Sequence, residues 1–342
     1  MKDFLAFDVC PREWPTPRLI DVTLRDGGFR NNFRWSIDDM ITIATAATAA
    51  GVHCVELGYV GGVPELHGVD DAGPTASLTP QDVAQVRERV GEKLLCAMVH
   101  PSAAITMQPF EELRRAGLNM IRFVYHENWE KHFVLLAEAA ASAGLSTSAN
   151  IALASRYDLT GIVERARRIE SSVDLVYLAD TCAAMLPTEV DTVTRALVKL
   201  HPVGFHAHDF LSMALANALS ATSAGATWID ASISGIGRGA GNLRLELWLA
   251  LQAASTGAGA TLRPLLPAMR MIEGRIGPHT IPDLGSIVSG ALNLTPPQED
   301  QLRSFAKAEK WSIDDAAAAL LDNQSLAASV PGVFKSIAEQ RM

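Results

Sequence analysis

Cysteine is scarce in this chain, with four among 342 residues. Cys10, Cys54, Cys96 and Cys182 contain no CxxC pair, which argues against a thiolate zinc site or a disulfide scaffold and suits reduced thiols in a reducing compartment. Basic residues are outnumbered: 29 Lys and Arg stand against 38 Asp and Glu, for a net charge of −9, and no Lys/Arg-rich block occurs. Nucleic acid and anionic membrane both require a basic footprint, so neither is expected as a partner. No apolar run reaches the roughly 18 residues that would span a bilayer. The opening MKDFLAFDVCPREWP is interrupted by Asp3, Asp8 and Glu13, so a secretory leader is not expected and a cytoplasmic location is. What is present in quantity is apolar: 48% hydrophobic against 20% charged residues excludes disorder and is enough to build a large core.

Short Val, Ile and Leu-rich runs alternate with longer Ala, Leu, Glu and Arg stretches of helical period. The pattern predicts eight strands, at 18–23, 54–57, 93–99, 120–125, 146–151, 175–179, 203–206 and 228–232. Helices are predicted between them, at 81–90, 111–116, 129–143, 159–170, 188–200, 211–224 and 242–254, with a further one capped by Ser36 and Asp39 and stopped at Gly51. Gly91, Gly117, Gly144 and Gly225 each stand at a predicted helix end. Eight βα units in about 240 residues predict an α/β fold that closes into a (β/α)8 TIM barrel, in preference to an open doubly wound sheet. The alternation stops near residue 260. Pro264, Pro267, Pro278, Pro282, Pro296 and Pro297 interrupt the C-terminal stretch, where amphipathic helices are expected at 298–309 and, capped by Ser312, at 312–321. We therefore expect a barrel domain over 1–261 and a small helical extension over 262–342.

Active sites of such barrels lie at the C-terminal strand ends. Strand 1 runs into Thr23-Leu24-Arg25-Asp26-Gly27-Gly28, a cation and a carboxylate followed by two glycines that let backbone approach a ligand. Strand 7 carries His206-Ala207-His208, whose imidazoles share one face because alternate residues of a strand point the same way. With a carboxylate from strand 1 they make a two-His, one-carboxylate set with open positions, the pattern of a catalytic metal site. Taken singly, each has an ordinary reading: a satisfied histidine, a surface ion pair for Arg25, a turn for the glycines. The run Gly235-Ile236-Gly237-Arg238-Gly239-Ala240-Gly241-Asn242 could serve as a phosphate loop, although an isolated glycine pattern is a weak signal.

In this order and spacing, the segments 21–28, 206–208 and 235–242, with Asp180-Thr181 and Asp230-Ala231-Ser232, resemble the DRE-TIM metallolyases, the HMG-CoA lyase-like barrel enzymes. Within them the chain looks most like the 4-hydroxy-2-oxovalerate aldolases. The resemblance implies a divalent metal held by Asp26, His206 and His208, with Asn242 as a further or indirect ligand. Mn²⁺ is the implied ion, with Mg²⁺ or Co²⁺ as alternatives. It also implies a carbon–carbon lyase that makes or cleaves a 4-hydroxy-2-oxo acid from pyruvate or 2-oxobutyrate and an aldehyde. Arg25 would act catalytically on the enolate, and Arg25, Gly27, Gly28, Phe29 and Thr181 would bind substrate. The partners implied are an acylating aldehyde dehydrogenase docked on the extension and further copies of the chain.

The chain departs from that family where protons move. The aldolases carry a His three residues after the motif Asp, and here the position is Phe29, which cannot take a proton. They also bring a Tyr from the extension, whereas the last tyrosine here is Tyr177. The segment 25–35 looks more like a branch with Arg-Asp-Gly-Gly-Tyr-x-Asn, and even there Phe29 replaces the hydroxyl. By position, His126, His100 and Tyr59 are the substitute candidates, with metal-bound water a fourth. Asp209 is read as a helix cap. Phe29, Phe33 and Trp35 suit either a bulky aldehyde or plain loop packing. Two other functions compete. Claisen-type acyl-CoA enzymes share the barrel, but isopropylmalate and homocitrate synthases carry Gln where Phe29 stands, and HMG-CoA lyases carry a Cys in a glycine loop that has none here. A non-catalytic assembly role would follow if proton chemistry had been lost.

Overall fold

A computed structural model describes residues 16–63, 72–102, 108–256, 261–277, 282–323 and 329–340. The opening segment with Cys10, residues 257–260 before the expected junction, and Pro278 lie outside them. The order is β1 (Arg18–Asp21), α1 (Ile37–Ala49), β2 (Cys54–Tyr59), α2 (Pro80–Val90), β3 (Leu94–Val99), α3 (Phe110–Arg115), β4 (Met120–Tyr125), α4 (Glu130–Ser142), β5 (Ser146–Ile151), α5 (Leu159–Arg168), β6 (Leu175–Asp180), α6 (Pro187–Leu197), β7 (Val203–Ala207), α7 (Ala214–Ser223), β8 (Trp228–Ala231) and α8 (Leu245–Thr256). Every strand pairs in parallel with its sequence neighbours, and β1 pairs with β8 through Ile20↔Asp230, so the eight strands close the expected (β/α)8 barrel.

The local signals behave as their chemistry requires. Ser36 and Asp39 form a reciprocal capping box on α1. Gly51, Gly91, Gly117, Gly144 and Gly225 all take positive φ where their helices stop, a conformation that a Cβ disfavours. Two predicted starts are displaced by three residues: α8 begins at Leu245 rather than 242, and α7 at Ala214 rather than 211, where Asp209 to Met213 fold into a turn with Ser212 at φ +56. Asp209 still serves that helix, its Oδ1 accepting from Ala214 N at 2.9 Å.

The barrel wall and the helices share one apolar core, including Val55, Leu57, Ile121, Phe123, Leu178, Phe205 and Ile229, all fully buried. Each such side chain contributes about 1.5–3 kcal/mol relative to exposure. Inside the barrel, Ile20, Cys54, Cys96, Leu175 and Tyr177 fill the lower end. Cys54, Cys96 and Cys182 are buried free thiols.

Five more helices follow: α9 (Leu266–Ile276), α10 (Leu284–Ala291), α11 (Pro296–Glu309), α12 (Ile313–Asp322) and α13 (Val330–Gln340). The sequence pattern reveals α11 and α12 but not α9, α10 or α13. The first two of those begin among prolines, and α10 is built of small residues, with Gly285, Ser286, Ser289 and Gly290 turned inward. Leu265, Ala268 and Ile272 pack in the barrel core, and Arg275 pairs with Asp39 of α1 at 2.7 Å. Val288, Leu302, Ala316, Leu320, Val333 and Phe334 form a separate core. On that packing we propose to draw the division after α9, rather than at residue 262.

Candidate metal centre

β1 passes at Asp21 into a tight turn that carries Arg25 and Asp26 over the barrel mouth. β7 ends with Ala207, and His208 continues its line, so both imidazoles face inward with ring centroids 4.9 Å apart. Among the described residues, Asp26, His206 and His208 are the one group of this kind whose ligand atoms all lie within 4.8 Å of one another, and all three are buried.

Each is held by a neighbour that leaves the inward atom available. His206 Nδ1 meets Asp230 Oδ2 at 2.9 Å, which leaves its Nε2 available to a ligand, while His208 Nδ1 meets Gly241 O at 3.3 Å and stands 4.0 Å from Asp26 Oδ2. Asp26 accepts from Arg25 Nη1 (2.8 Å), Asn242 Nδ2 (2.7 Å) and Arg238 N (3.2 Å). Burial by itself would raise the Asp26 carboxyl, but Arg25 and the two imidazoles hold it well below the usual carboxylate range. Burial lowers His208 to about 4, so it is neutral near pH 7, the form that binds a metal.

Beneath this group runs a buried ion network. Glu56 accepts from Arg25 Nε at 2.7 Å and forms an ion pair, without a hydrogen bond, with Arg122 Nη1 at 3.2 Å, and Arg122 Nη2 donates to Asp230 at 2.7 Å. Arg122 also lies over the Tyr177 ring at 4.2 Å. Gly204 makes room for that ring, since a Cβ there would stand 2.3 Å from it. The network thus runs from Asp26 through Arg25, Glu56, Arg122 and Asp230 to His206. Its three carboxylates exceed its two guanidinium groups by one charge, a surplus in a dry pocket that a bound cation would balance. Asn242 Oδ1 and Arg25 Nη2 are buried without a hydrogen-bond partner. The donor set, the surplus charge and the orphaned amide oxygen all fit a divalent metal ion.

A cavity of about 230 Å³ opens on this group and is also lined by Phe29, Tyr59, Met98, His100, His126, Trp129, Asn150 and Thr181. Arg25, Asp26, Phe29, Thr181, His100, His126, His206 and His208 are therefore brought together around one cavity. Gly27 and Gly28 are not part of the lining: their faces are covered by Ile236 and the Phe33 ring. Phe33 and Trp35 are fully buried, so of the three first-loop aromatics only Phe29 faces the cavity. The phosphate-loop reading of 235–242 also fails, because that loop turns inward and spends the Arg238 amide on Asp26. Pro296 and Pro297, at the start of α11, also line the cavity.

Asn150, on β5, is a site residue missed by sequence reasoning: it is 5% exposed, lines the cavity and has an unpartnered Oδ1. Glu56 and Arg122 were missed as well. The signal was there, as a charge or an amide in the middle of a strand too apolar to tolerate one without a partner.

Fold and site together define the class: the chain belongs to the HMGL-like family, whose model matches residues 16–272. With its relatives, that membership makes it a carbon–carbon lyase. It is similar to the 4-hydroxy-2-oxovalerate aldolase of Thermus thermophilus, at 30% identity over 272 residues, 76% of each protein. It is also similar to the oxaloacetate decarboxylase of Mycobacterium tuberculosis, at 31% over 306 residues, 87% of this chain and 88% of that one. Among solved structures, the N-terminal domain of a Bacteroides vulgatus protein matches with TM-score 0.71 at 24% identity, over 84% of this chain and 97% of that one. The carboxyl transferase domain of Rhizobium etli pyruvate carboxylase with pyruvate matches with TM-score 0.68 at 18%, over 93% and 58%. At those identities the structural matches speak for the fold alone.

Proposed function

We propose that the protein is a divalent-metal-dependent aldolase that makes or cleaves a 4-hydroxy-2-oxo acid, with pyruvate or 2-oxobutyrate as one half and an aldehyde as the other. The observation that carries this reading is the convergence of Asp26, His206 and His208 with an unpartnered Arg25 Nη2 in one buried cavity. Mn²⁺ is the ion we assign, ahead of Mg²⁺ or Co²⁺. Such an ion would polarise the keto group of a 2-oxo acid as a Lewis acid. Arg25 Nη2 donates to the oxygen on which enolate charge develops, a contact whose loss costs about 10² to 10³ in rate. Asn150 Oδ1 accepts from the C4 hydroxyl and orients it. Thr181 lines the same space, and Phe29 walls off the aldehyde half.

The test is to load the purified protein with Mn²⁺ and pyruvate or 2-oxobutyrate, offer a panel of aldehydes, and look for adducts by mass. An adduct that requires the metal supports the reading. If no aldehyde reacts while Mn²⁺ is demonstrably bound, the reading fails. Acetyl-CoA with the same 2-oxo acids should release no free CoA, which separates the aldolase from a Claisen enzyme.

A second reading, β-decarboxylation of a 3-carboxy-2-oxo acid, passes through the same enolate. Phe29 favours it: loss of CO₂ requires no base at the departing group, and this chain has no histidine in the family's position. The named activity of the Mycobacterium tuberculosis relative points the same way. Metal-dependent CO₂ release from oxaloacetate, in excess of the rate with free Mn²⁺, would establish it.

The metal assignment also makes a glycine testable. A Cβ on Gly237 would stand 2.3 Å from Asn242 Nδ2 and 2.5 Å from Asp26 Oδ2, so Gly237→Ala must push the Asp26 carboxylate off its donors. We expect Mn²⁺ affinity to fall about 10- to 100-fold, as for other losses of a supporting contact around a metal, with the far-ultraviolet dichroism unchanged.

The family likeness supports self-association and a docked acylating aldehyde dehydrogenase as proposals. The apolar residues of α12 do not add to the second, since Ala316, Ala317 and Leu320 are buried within the extension itself. The extension in turn sits on its own barrel, through Asn293 with Ser155 and Asp300 with Arg238. Light scattering, alone and with a candidate dehydrogenase, measures both.

A further inference from the structure

The metal cavity is small and, away from the metal group, largely apolar. At about 230 Å³ it falls below the roughly 300–1,000 Å³ of pockets that enclose a drug-sized ligand. Its outer walls include Phe29, Tyr59, Met98, Val124, Trp129 and Pro297. A second cavity, of about 500 Å³, lies between the barrel mouth and the extension. Phe29 and Arg238 line both cavities. Cζ of Arg238 stands over the Phe29 ring, 5.3 Å from its centroid, so this pair is the partition at which the two spaces meet.

The outer cavity has a different chemistry. Arg30 comes from the loop after β1 and Arg238 from the loop after β8, Asp283 caps α10, and Glu299, Asp300 and Arg303 stand on α11. Three guanidinium groups thus face three carboxylates. Arg303 reaches Asp283 at 2.9 Å and Glu299 at 2.8 Å, Arg238 reaches Asp300 at 3.0 Å, and Arg30 Nη1 donates to Gly239 O at 3.0 Å. With the formal charges balanced, the lining has no surplus cation for a phosphate or carboxylate and no surplus anion for an amine. What it offers is hydrogen bonding of both senses. A carboxylate has about four acceptor sites and a guanidinium five N–H donors, so paired groups of either kind can still bond a hydroxyl.

We propose that the outer cavity is the subsite for the far end of the aldehyde, and that this end is an uncharged, hydroxylated chain of the aldose kind; this rests on the aldolase reading. The 2-oxo acid and the reacting carbonyl occupy the inner cavity. The chain beyond them passes the Phe29 ring and enters the outer one, where hydroxyls that both donate and accept meet the mixed lining. An alkyl chain in the same place strips water from carboxylates and guanidinium groups and returns no hydrogen bond, which weakens binding. A charged chain meets its own sign as often as the opposite one. Phe29 thereby has a role other than the proton transfer it cannot perform: its ring is the rim between an apolar reaction chamber and a polar one.

The test compares aldehydes of equal chain length on Mn²⁺-loaded full-length protein with pyruvate, with concentrations counted as free aldehyde. Erythrose is the hydroxylated four-carbon aldehyde, butanal the alkyl one and succinic semialdehyde the anionic one. We expect kcat/KM for erythrose to exceed that for each of the others about tenfold or more. Two plugs then test the location: Arg30→Trp from the barrel side and Asp300→Trp from α11. Both side chains are exposed, so neither change disturbs the core. Each should lower the erythrose-to-butanal ratio of kcat/KM about fivefold or more, and the ratio cancels any general loss of activity. Butanal used as well as erythrose overturns the proposal, and so does a preference for succinic semialdehyde. Ratios that both plugs leave within about twofold of the parent overturn it as well. A protein that binds Mn²⁺ and reacts with no aldehyde at all marks instead the failure of the aldolase reading, and this subsite falls with it.

Discussion

Asp26→Asn should leave a folded barrel that neither binds Mn²⁺ stoichiometrically nor turns over. The carboxylate faces donors on every side: Arg25 Nη1 on one oxygen, Asn242 Nδ2 and the Arg238 amide on the other. An amide in its place must aim its NH₂ at one of those donors, so the substitution removes the ligand charge and a hydrogen bond together. Where the NH₂ faces Arg25, the group that meets the enolate keeps its Glu56 contact but loses the second of its two anchors. The loss of transition-state stabilisation alone is worth about 10² to 10³ in rate, and the loss of the metal adds to it. Calorimetric Mn²⁺ titration beside circular dichroism checks this. Retention of tight Mn²⁺ binding by the variant would place the metal elsewhere.

Arg122→Met should be the most destabilising single change near the site. Arg122 is fully buried and bridges Glu56 to Asp230. Methionine leaves two carboxylates facing each other in the barrel interior with one guanidinium fewer, and strips the Tyr177 ring of the cation above it. Removing one partner from a buried ion pair costs about 3–5 kcal/mol. Loss of the network also frees Asp230 from Arg122 and so loosens His206, which Asp230 orients. The double variant Arg122→Met, Glu56→Gln should recover part of the stability, because it removes one of the two carboxylate charges that Arg122 balanced while a glutamine oxygen can still accept from Arg25 Nε. Denaturant midpoints of the three proteins measure this, and an unchanged midpoint for Arg122→Met would contradict the network as a structural element.

The barrel could be read from the sequence because its signals are local. Five of the eight strands are short apolar runs that follow a helix-stopping glycine, at Gly51, Gly91, Gly117, Gly144 and Gly225, and the capping box at Ser36 and Asp39 needs only four residues. The metal group was legible for a related reason: His206 and His208 sit two apart on one strand, and period two alone puts them on the same face. What brought Asp26 to them is the closure of β1 on β8, which the count of eight strands implies. Glu56 and Arg122 were not legible, because their meaning lies in partners 31 to 108 residues away across the barrel interior, as with Arg122 and Asp230, and Asn150 is marked only by the cavity it lines. The histidine roles were hidden for another reason. His100 and His126 line the cavity, but Nδ1 of each meets a backbone amide of its own loop, Ser102 N and Asn128 N, a contact that their positions in the sequence do not announce. The start of the extension was blurred because α9 begins among prolines, after the βα alternation has stopped, yet packs on α1.

The central claim is that Asp26, His206 and His208 hold one divalent ion at the mouth of the barrel. Pulsed electron paramagnetic resonance of the Mn²⁺-loaded protein addresses it most directly, because imidazole nitrogen bound to Mn²⁺ modulates the spin echo. We predict one tightly bound Mn²⁺ per chain with modulation from two imidazoles, reduced to one in His206→Ala and changed again when pyruvate is added. Stoichiometric Mn²⁺ without nitrogen modulation, or modulation unaltered in the paired His206→Ala, His208→Ala variant, would contradict it.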